Sequence, residues 1–247
     1  MADGSRPAGR LEARLAVITG ASRGIGRSVA RAFAKEGAHT ILIARTVGGL
    51  EEVDDEIKSL GGHATLVPLD LTDFAALDRL GAQINERWGK LDILVGNAAI
   101  LGTLSPLAHI DPKEWQQVLD VNLTANWRLI RSLDPLLRQS KAGRVIFVSS
   151  GVAKTHKAYW STYAVSKAAL EAVAGIYAAE NQKTHICCNV INPGATRTGM
   201  RAQAMPGEDP ETQPHPDDIA SLFLELADAA YTGTGQVINF RDWIESR

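Results

Sequence analysis

The chain predicts an α/β domain, a doubly wound parallel sheet with helices on both faces, and three observations carry that expectation. Short apolar runs alternate with helix-patterned stretches from one end to the other, as in strand–helix–strand units joined by right-handed crossovers. The apolar runs are continuous, as in Arg144-Val-Ile-Phe-Val148, which is how strands covered on both faces read. The first run passes through a glycine-rich turn straight into a helix-patterned stretch.

The elements follow in order. Leu15-Ala-Val-Ile18 places a strand over 14–19, and Thr19-Gly-Ala-Ser-Arg-Gly-Ile-Gly26 turns the chain into a helix over 24–37. A second strand at 39–45 and a helix at 47–60 come next, then a third strand at 63–68 and a helix at 73–88. Asp73 is the natural N-cap of that helix, since its short carboxylate can accept from a first-turn N–H. The fourth strand, 91–96, leads into Asn97-Ala98-Ala99, and 112–138 reads as one long helix. The fifth strand, 143–149, ends at Ser149-Ser150, and an Ala-rich helix spans 159–181. A sixth strand at 184–191, a helix at 217–229 and a seventh strand at 235–240 complete the sheet of about seven strands. The rhythm breaks between Gly194 and Asp217, where Pro206, Pro210, Pro214 and Pro216 crowd together. A loop of that length in a compact domain is usually functional, and 194–217 is expected to be a lid.

The 247 residues, 45 % of them hydrophobic, suffice for one domain with a sizeable core, expected over 13–247. Residues 1–12 carry Arg6 and Arg10 without an apolar segment and read as a loose tail, not a signal peptide. A net charge of −2 gives no reason to expect nucleic acid or an anionic membrane as partner, and no apolar run is long enough to cross a bilayer. The neighbouring Cys187 and Cys188 would face opposite sides of a strand, so reduced thiols and a cytoplasmic location are expected. The histidines are scattered and no cluster has metal-ligand spacing; no metal is expected.

Two constellations carry chemistry. Gly20, Gly24 and Gly26 stand in a strand–turn–helix context, where glycine permits a tight turn, close approach of backbone to a pyrophosphate, and close helix–strand packing. The helix N-terminus adds free N–H groups and partial positive charge for phosphates. Tyr163 and Lys167 lie four apart on a helix, hence on one face, with Ser150 thirteen residues ahead of the tyrosine. A tyrosine titrates near pH 10; bringing it to neutrality needs roughly 4 kcal/mol of differential stabilisation, which a neighbouring ammonium and a cationic ring would supply. The result is a general acid and base.

Taken together, Thr-Gly-x3-Gly-Ile-Gly, Asn97-Ala98-Ala99 and Ser150…Tyr163-x3-Lys167 resemble the short-chain dehydrogenase/reductase family in its single-domain Rossmann form, over about Leu15 to Phe240. Asp70, Asn122 and Pro193-Gly194 match it too. The resemblance implies that Tyr163 exchanges a proton with the substrate oxygen and that Lys167 lowers its pKa and holds the nicotinamide ribose. It implies that Ser150 orients the substrate oxygen, that Asn122 anchors a water-mediated proton route, and that Asp70 meets the adenine. The implied cofactor cradle comprises Gly20, Ser22, Arg23, Gly24, Ile25, Gly26, Arg45, Thr46, Asp70, Leu71, Asn97, Ala98, Ala99, Tyr163, Lys167, Pro193, Gly194, Thr196 and Thr198. Two departures stand out: Ala99 where the family commonly has glycine, and Asn239 to Glu245 in place of its acidic, glycine-rich end. The second puts the family's C-terminal tetramer contact in doubt.

NAD-specific sites carry an acid at the end of the second strand; here Ala44 stands there, followed by Arg45, with Arg23 in the glycine turn. Arginine suits a 2′-phosphate, so NADP(H) is expected in preference to NAD(H), with reduction as the working direction. The leading expectation is an oxidoreductase for a carbonyl or alcohol substrate. The alternative is a non-catalytic dinucleotide-binding sensor or scaffold, which would have no need of Ser150, Tyr163 and Lys167 at these offsets. Pocket walls are expected from Leu101-Gly102, Val152 to Trp160 and Ala195 to Met205, where Trp160 and Met200 offer apolar contact. Lys154, Arg197 and Arg201 would meet an anion or face water, and the chain does not discriminate sugar, steroid, acyl thioester or quinone. The Ala-rich face of 159–181 suggests a homodimer, and a tetramer is left open.

Overall fold

In a computed structural model, which describes residues 9–247, the strands are β1 (Leu15–Thr19), β2 (His39–Ala44), β3 (His63–Pro68), β4 (Ile93–Gly96), β5 (Arg144–Val148), β6 (Cys187–Asn192) and β7 (Val237–Asn239). They form a single seven-stranded sheet in the order β3-β2-β1-β4-β5-β6-β7, parallel throughout. The helices are α1 (Gly24–Lys35), α2 (Val47–Ser59), α3 (Phe74–Trp88), α4 (Pro112–Leu119), α5 (Ala125–Leu137), α6 (Val152–Thr155), α7 (Ser161–Glu180), α8 (Gly199–Ala204), α9 (Pro216–Ala227) and α10 (Phe240–Glu245). The strand order reverses between β1 and β4, which opens a crevice at their carboxyl ends.

The inner strands β1, β2, β4, β5 and β6 are buried on both faces because their alternate residues serve two cores. Ile18 and Ile146 pack with Val29, Leu50 and Leu222 of α1, α2 and α9. Their chain neighbours Val17 and Phe147 pack with Leu77, Leu129 and Leu170 of α3, α5 and α7. Register locks the arrangement, with Val17 opposite both Ile41 and Leu94.

The amino end of the sheet is fastened by two buried arginines. Arg14 donates to the carbonyls of Ala227, Asp92 and Ala142. Arg144 donates to those of Asp228 (3.1 Å), Gly143 (2.8 Å), His185 (3.2 Å), Ala229 (2.8 Å) and Tyr231 (2.7 Å). Main-chain carbonyls at that end thereby gain charged donors, at Asp92, Gly143 and Asp228 in addition to the backbone N–H groups they already accept.

Three expectations need correction. Residues 1–8 of the supposed tail lie outside the described residues, but 9–12 are not loose. Leu11 is fully buried in the core, its N–H donates to Glu36 O at 2.9 Å, and Arg10 pairs with Asp228 at 3.0 Å. The helix expected over 112–138 is interrupted by a π turn at Asp120–Thr124 that separates α4 from α5; one inserted residue rotates the following face without ending the helix. The lid segment 194–217 is not a bare loop. It contains α8, capped by Thr198 accepting from Arg201 N–H at 3.2 Å, and a 3₁₀ turn at Pro210–Thr212. The seventh strand falls within the expected 235–240, and the atypical C-terminus continues from it as α10, with Phe240 in the core and Trp243 Nε1 donating to Glu225 at 3.3 Å.

Candidate active site

A cleft of roughly 860 Å³ lies at the carboxyl ends of the strands. Every candidate catalytic or cofactor-binding residue named from the sequence lines it except Gly26 and Asn122. Gly26 acts one layer behind: a Cβ there would sit 2.2 Å from Gly20 O, so only glycine lets α1 seat against the turn. Gly20 adopts φ +66° and faces Ala98, whose Cα would be 2.9 Å from an added Cβ. Asn97 braces this turn from β4. Its Nδ2 donates to Thr19 O (2.9 Å) and Gly20 O (3.3 Å), while Thr19 Oγ1 accepts from the N–H groups of Asn97 (3.0 Å) and Ala98 (3.1 Å).

The cradle fits a dinucleotide phosphate. The residue preceding α1, Arg23, makes no side-chain cap, and no acid lies in the first turn, so the helix N-terminus keeps its N–H groups and partial positive charge for an anion. Arg23 and Arg45 line the cleft, and neither guanidinium forms a hydrogen bond or ion pair with another described residue. Asp70 accepts from Thr72 N–H (2.9 Å) and Thr72 Oγ1 (2.8 Å), both at Oδ1. The Thr72 backbone bond leads in holding its carboxyl below the usual range, with Arg45 contributing by charge. Asp73, as expected, caps α3 by accepting from Ala76 N–H at 3.0 Å. Among the described residues other than glycine, only Ala13, His156 and Tyr159 have positive φ, so the methyl of Ala99 brings no left-handed strain.

The chemical groups meet at the inner face of α7. Tyr163 and Lys167 are both buried, and Tyr163 is hydrogen-bonded to Ser150. Lys167 Nζ donates to Val148 O at 2.7 Å and stands 5.7 Å from the Tyr163 ring centroid. Burial pushes the Tyr163 phenol up to about 12, against the opposing effect of the Ser150 hydrogen bond. Burial likewise brings the Lys167 ammonium down to about 8. Within the chain alone desolvation thus prevails at Tyr163, and the expected lowering rests on the ammonium acting together with a cationic ring.

Asn122 occupies the π turn. Its Oδ1 accepts from Ile100 N–H (2.8 Å), and its Nδ2 donates to Ile100 O (2.9 Å) and Ser166 Oγ (3.0 Å). Its main-chain carbonyl accepts from Asn126 Nδ2 at 2.8 Å. Asn122 thus ties the floor of the cleft, through Ile100, to α7. Sequence reasoning missed Glu171, which accepts from Ser149 Oγ at 2.6 Å and pins the end of β5 to α7; its position one helical turn beyond Lys167 was the available signal. It also missed Gly49, Leu69 and Val121 on the cleft wall, for which no motif gives notice.

At its outer end the cleft is apolar. Leu101, Val152, Trp160 and Tyr163 cluster with Leu104, Met200, Ala204 and Met205, and the Trp160 and Tyr163 rings lie 6.0 Å apart. Of the expected wall 152–160 only Trp160 reaches the cleft, and Lys154 and Arg197 do not. Arg197 pairs with Glu211 at 2.5 Å, and Arg201 with Glu208 through bonds of 2.5 and 2.6 Å.

Comparison with known proteins agrees with this architecture. The short chain dehydrogenase family model matches residues 14–209. The Escherichia coli oxidoreductase YciK is 39 % identical over 219 residues, 87 % of this chain and 86 % of that protein. A short chain dehydrogenase structure from Pseudomonas syringae superposes with a TM-score of 0.91 at 40 % identity, covering 97 % of this chain and 99 % of the other. One from Shigella flexneri, complexed with NADP, gives a TM-score of 0.90 at 37 % identity over 94 % of this chain and 98 % of the other. With the glycine turn, the strand order and the tyrosine–lysine helix in place, the chain belongs to the short-chain dehydrogenase/reductase family of oxidoreductases.

Proposed function

We propose that the protein transfers a hydride between NADP(H) and a carbonyl or alcohol substrate, with Tyr163 as general acid and base. The observation that carries this reading is the meeting of Ser150, Tyr163 and Lys167 beside a phosphate-fitting glycine turn in one cleft. The cofactor, when bound, supplies the hydride and a positively charged ring in its oxidised form. Tyr163 holds the proton that a developing alkoxide takes up, and its raised pKa keeps that proton in place until the substrate oxygen arrives. Ser150 positions that oxygen by hydrogen bonding. Lys167, anchored on Val148 O, brings positive charge beneath the phenol and has further ammonium protons for a ribose hydroxyl. Asn122 acts as a brace of the floor and the turn where a proton route would leave the site.

Preference for NADP(H) is supported by Ala44 in the place of an acid and by Arg23 and Arg45 lining the cleft without ion pairs. The Shigella neighbour's complex with NADP agrees with it. Homodimerisation through α5 and α7 belongs to the same reading: Trp127, Val165 and Ile176 are 47 %, 44 % and 60 % exposed, beside exposed Ala168, Ala172 and Ala179. A non-catalytic sensor would have no use for a buried lysine under a buried tyrosine. The test is Tyr163→Phe, which keeps the ring and removes the proton. NADPH binding is expected to survive while turnover falls at least about a hundredfold; comparable turnover would refute the assignment.

A further inference from the structure

The cleft is electrostatically two-ended. Among the described residues lining it, the cations are Arg23, Arg45, Lys167 and Arg201, and the one carboxylate is Asp70. Arg23 and Arg45 stand at the glycine turn and the end of β2, the nucleotide end. Lys167 is buried on Val148 O. Only Arg201 belongs to the lid side, and both its bonding nitrogens are engaged by Glu208, which also accepts from Gln213 Nε2 at 3.1 Å. Lys157 lies over Trp160, 5.6 Å from its ring centroid, but does not line the cleft.

The apolar groups about the outer side of Tyr163 are Leu101, Trp160, Met200 and Ala204 on the cleft wall, backed by Leu104 and Met205, and the one other polar side chain on the helix of the lid is the uncharged Gln203. An anionic substrate group placed there would lose its water with no unengaged cation to replace it, at a cost that a neutral apolar body escapes. Methionine and tryptophan walls accommodate flat or irregular apolar shapes. We infer that the substrate is an uncharged carbonyl compound or alcohol with an apolar body, and that the Arg201–Glu208 pair excludes carboxylate-bearing analogues by keeping the guanidinium engaged. This rests on the oxidoreductase reading above. It narrows the substrate class and makes Glu208 a specificity determinant although it lies behind the cleft wall.

The experiment compares two ketones of one ring system, acetylnaphthalene and acetylnaphthoate, binding to the full chain in saturating NADP⁺, where no turnover occurs. Equilibrium dialysis should give acetylnaphthalene a Kd at least about tenfold lower than acetylnaphthoate, the penalty of an uncompensated charge. Glu208→Ala frees Arg201 and should tighten acetylnaphthoate about fivefold or more, through one charge-assisted pair, while leaving acetylnaphthalene unchanged. Trp160→Ala should weaken acetylnaphthalene and leave NADP⁺ binding intact. Equal or tighter binding of acetylnaphthoate by the wild type, binding of neither ketone, or an unchanged ratio in Glu208→Ala overturns the inference. NADPH oxidation separates the two levels. Ketones that bind in the expected order without NADPH consumption sink hydride transfer but keep the substrate class; fastest consumption with acetylnaphthoate does the reverse.

Discussion

Replacing Lys167 by methionine isolates the energetic consequence of burying an ammonium under the active-site tyrosine. Methionine keeps an unbranched apolar stem but cannot ionise. In the folded protein burial lowers the Lys167 pKa from 10.5 to about 8. The folded state thus binds this proton less readily than the unfolded chain, and stability rises as pH climbs from about 8 toward the unfolded value. The gap between 10.5 and about 8, at 1.36 kcal/mol per pH unit, corresponds to about 3 kcal/mol. Loss of the bond to Val148 O shifts the mutant's stability as a whole, and Tyr163 is common to both proteins, so neither disturbs the pH-dependent difference. Urea unfolding at a series of pH values from about 7 to about 10.5 should show wild type gaining about 3 kcal/mol on Lys167→Met across that window. Parallel stability curves, differing by less than about 1 kcal/mol across the range, would refute the claim that Lys167 is held in a desolvated site.

Further expectations address the cofactor and the assembly. Arg45→Asp should weaken NADPH binding by about tenfold to a hundredfold, the scale of a charge-assisted hydrogen bond, with little effect on NADH; titration calorimetry reads both, and equal losses would make Arg45 a structural residue. Ile176→Glu puts a charge into the exposed apolar face of α7 and should convert a dimer to a monomer in light scattering at micromolar concentration. A wild-type mass near 26.5 kDa would remove the dimer altogether.

The parts legible in the sequence share one property: their physical cause is local. Val145 to Val148 read as a strand because a strand buried on both faces must be apolar without interruption. The glycines of the first turn read as a cradle because positive φ at Gly20 and Gly24 leaves few other residues acceptable. Tyr163 and Lys167 share a face through helical geometry alone. What escaped depends on distance through space. A π turn at Asn122 alters the periodicity by one residue, and its reason, a side chain hooked on Ile100, lies twenty-two positions away in the chain. Leu11 is one apolar residue in a polar stretch, and its burial follows from the position of Glu36 O. Arg201 and Glu208 have no periodic spacing that would announce a pair. The direction in which Tyr163 titrates depends on how dry the site is, which spacing does not encode.

The arginine clamp at the opposite end of the sheet has an evolutionary consequence. Every acceptor used by the side chains of Arg14 and Arg144 is a main-chain carbonyl, and a carbonyl is the same on any amino acid. The clamp therefore does not read the side chains of Ala142, His185, Ala227, Ala229 or Tyr231. Mutations there are filtered by backbone path and packing, not by hydrogen-bonding identity. Two arginines make that end tolerant of sequence drift in its connecting segments, while the sheet stays registered for the cleft at the far end.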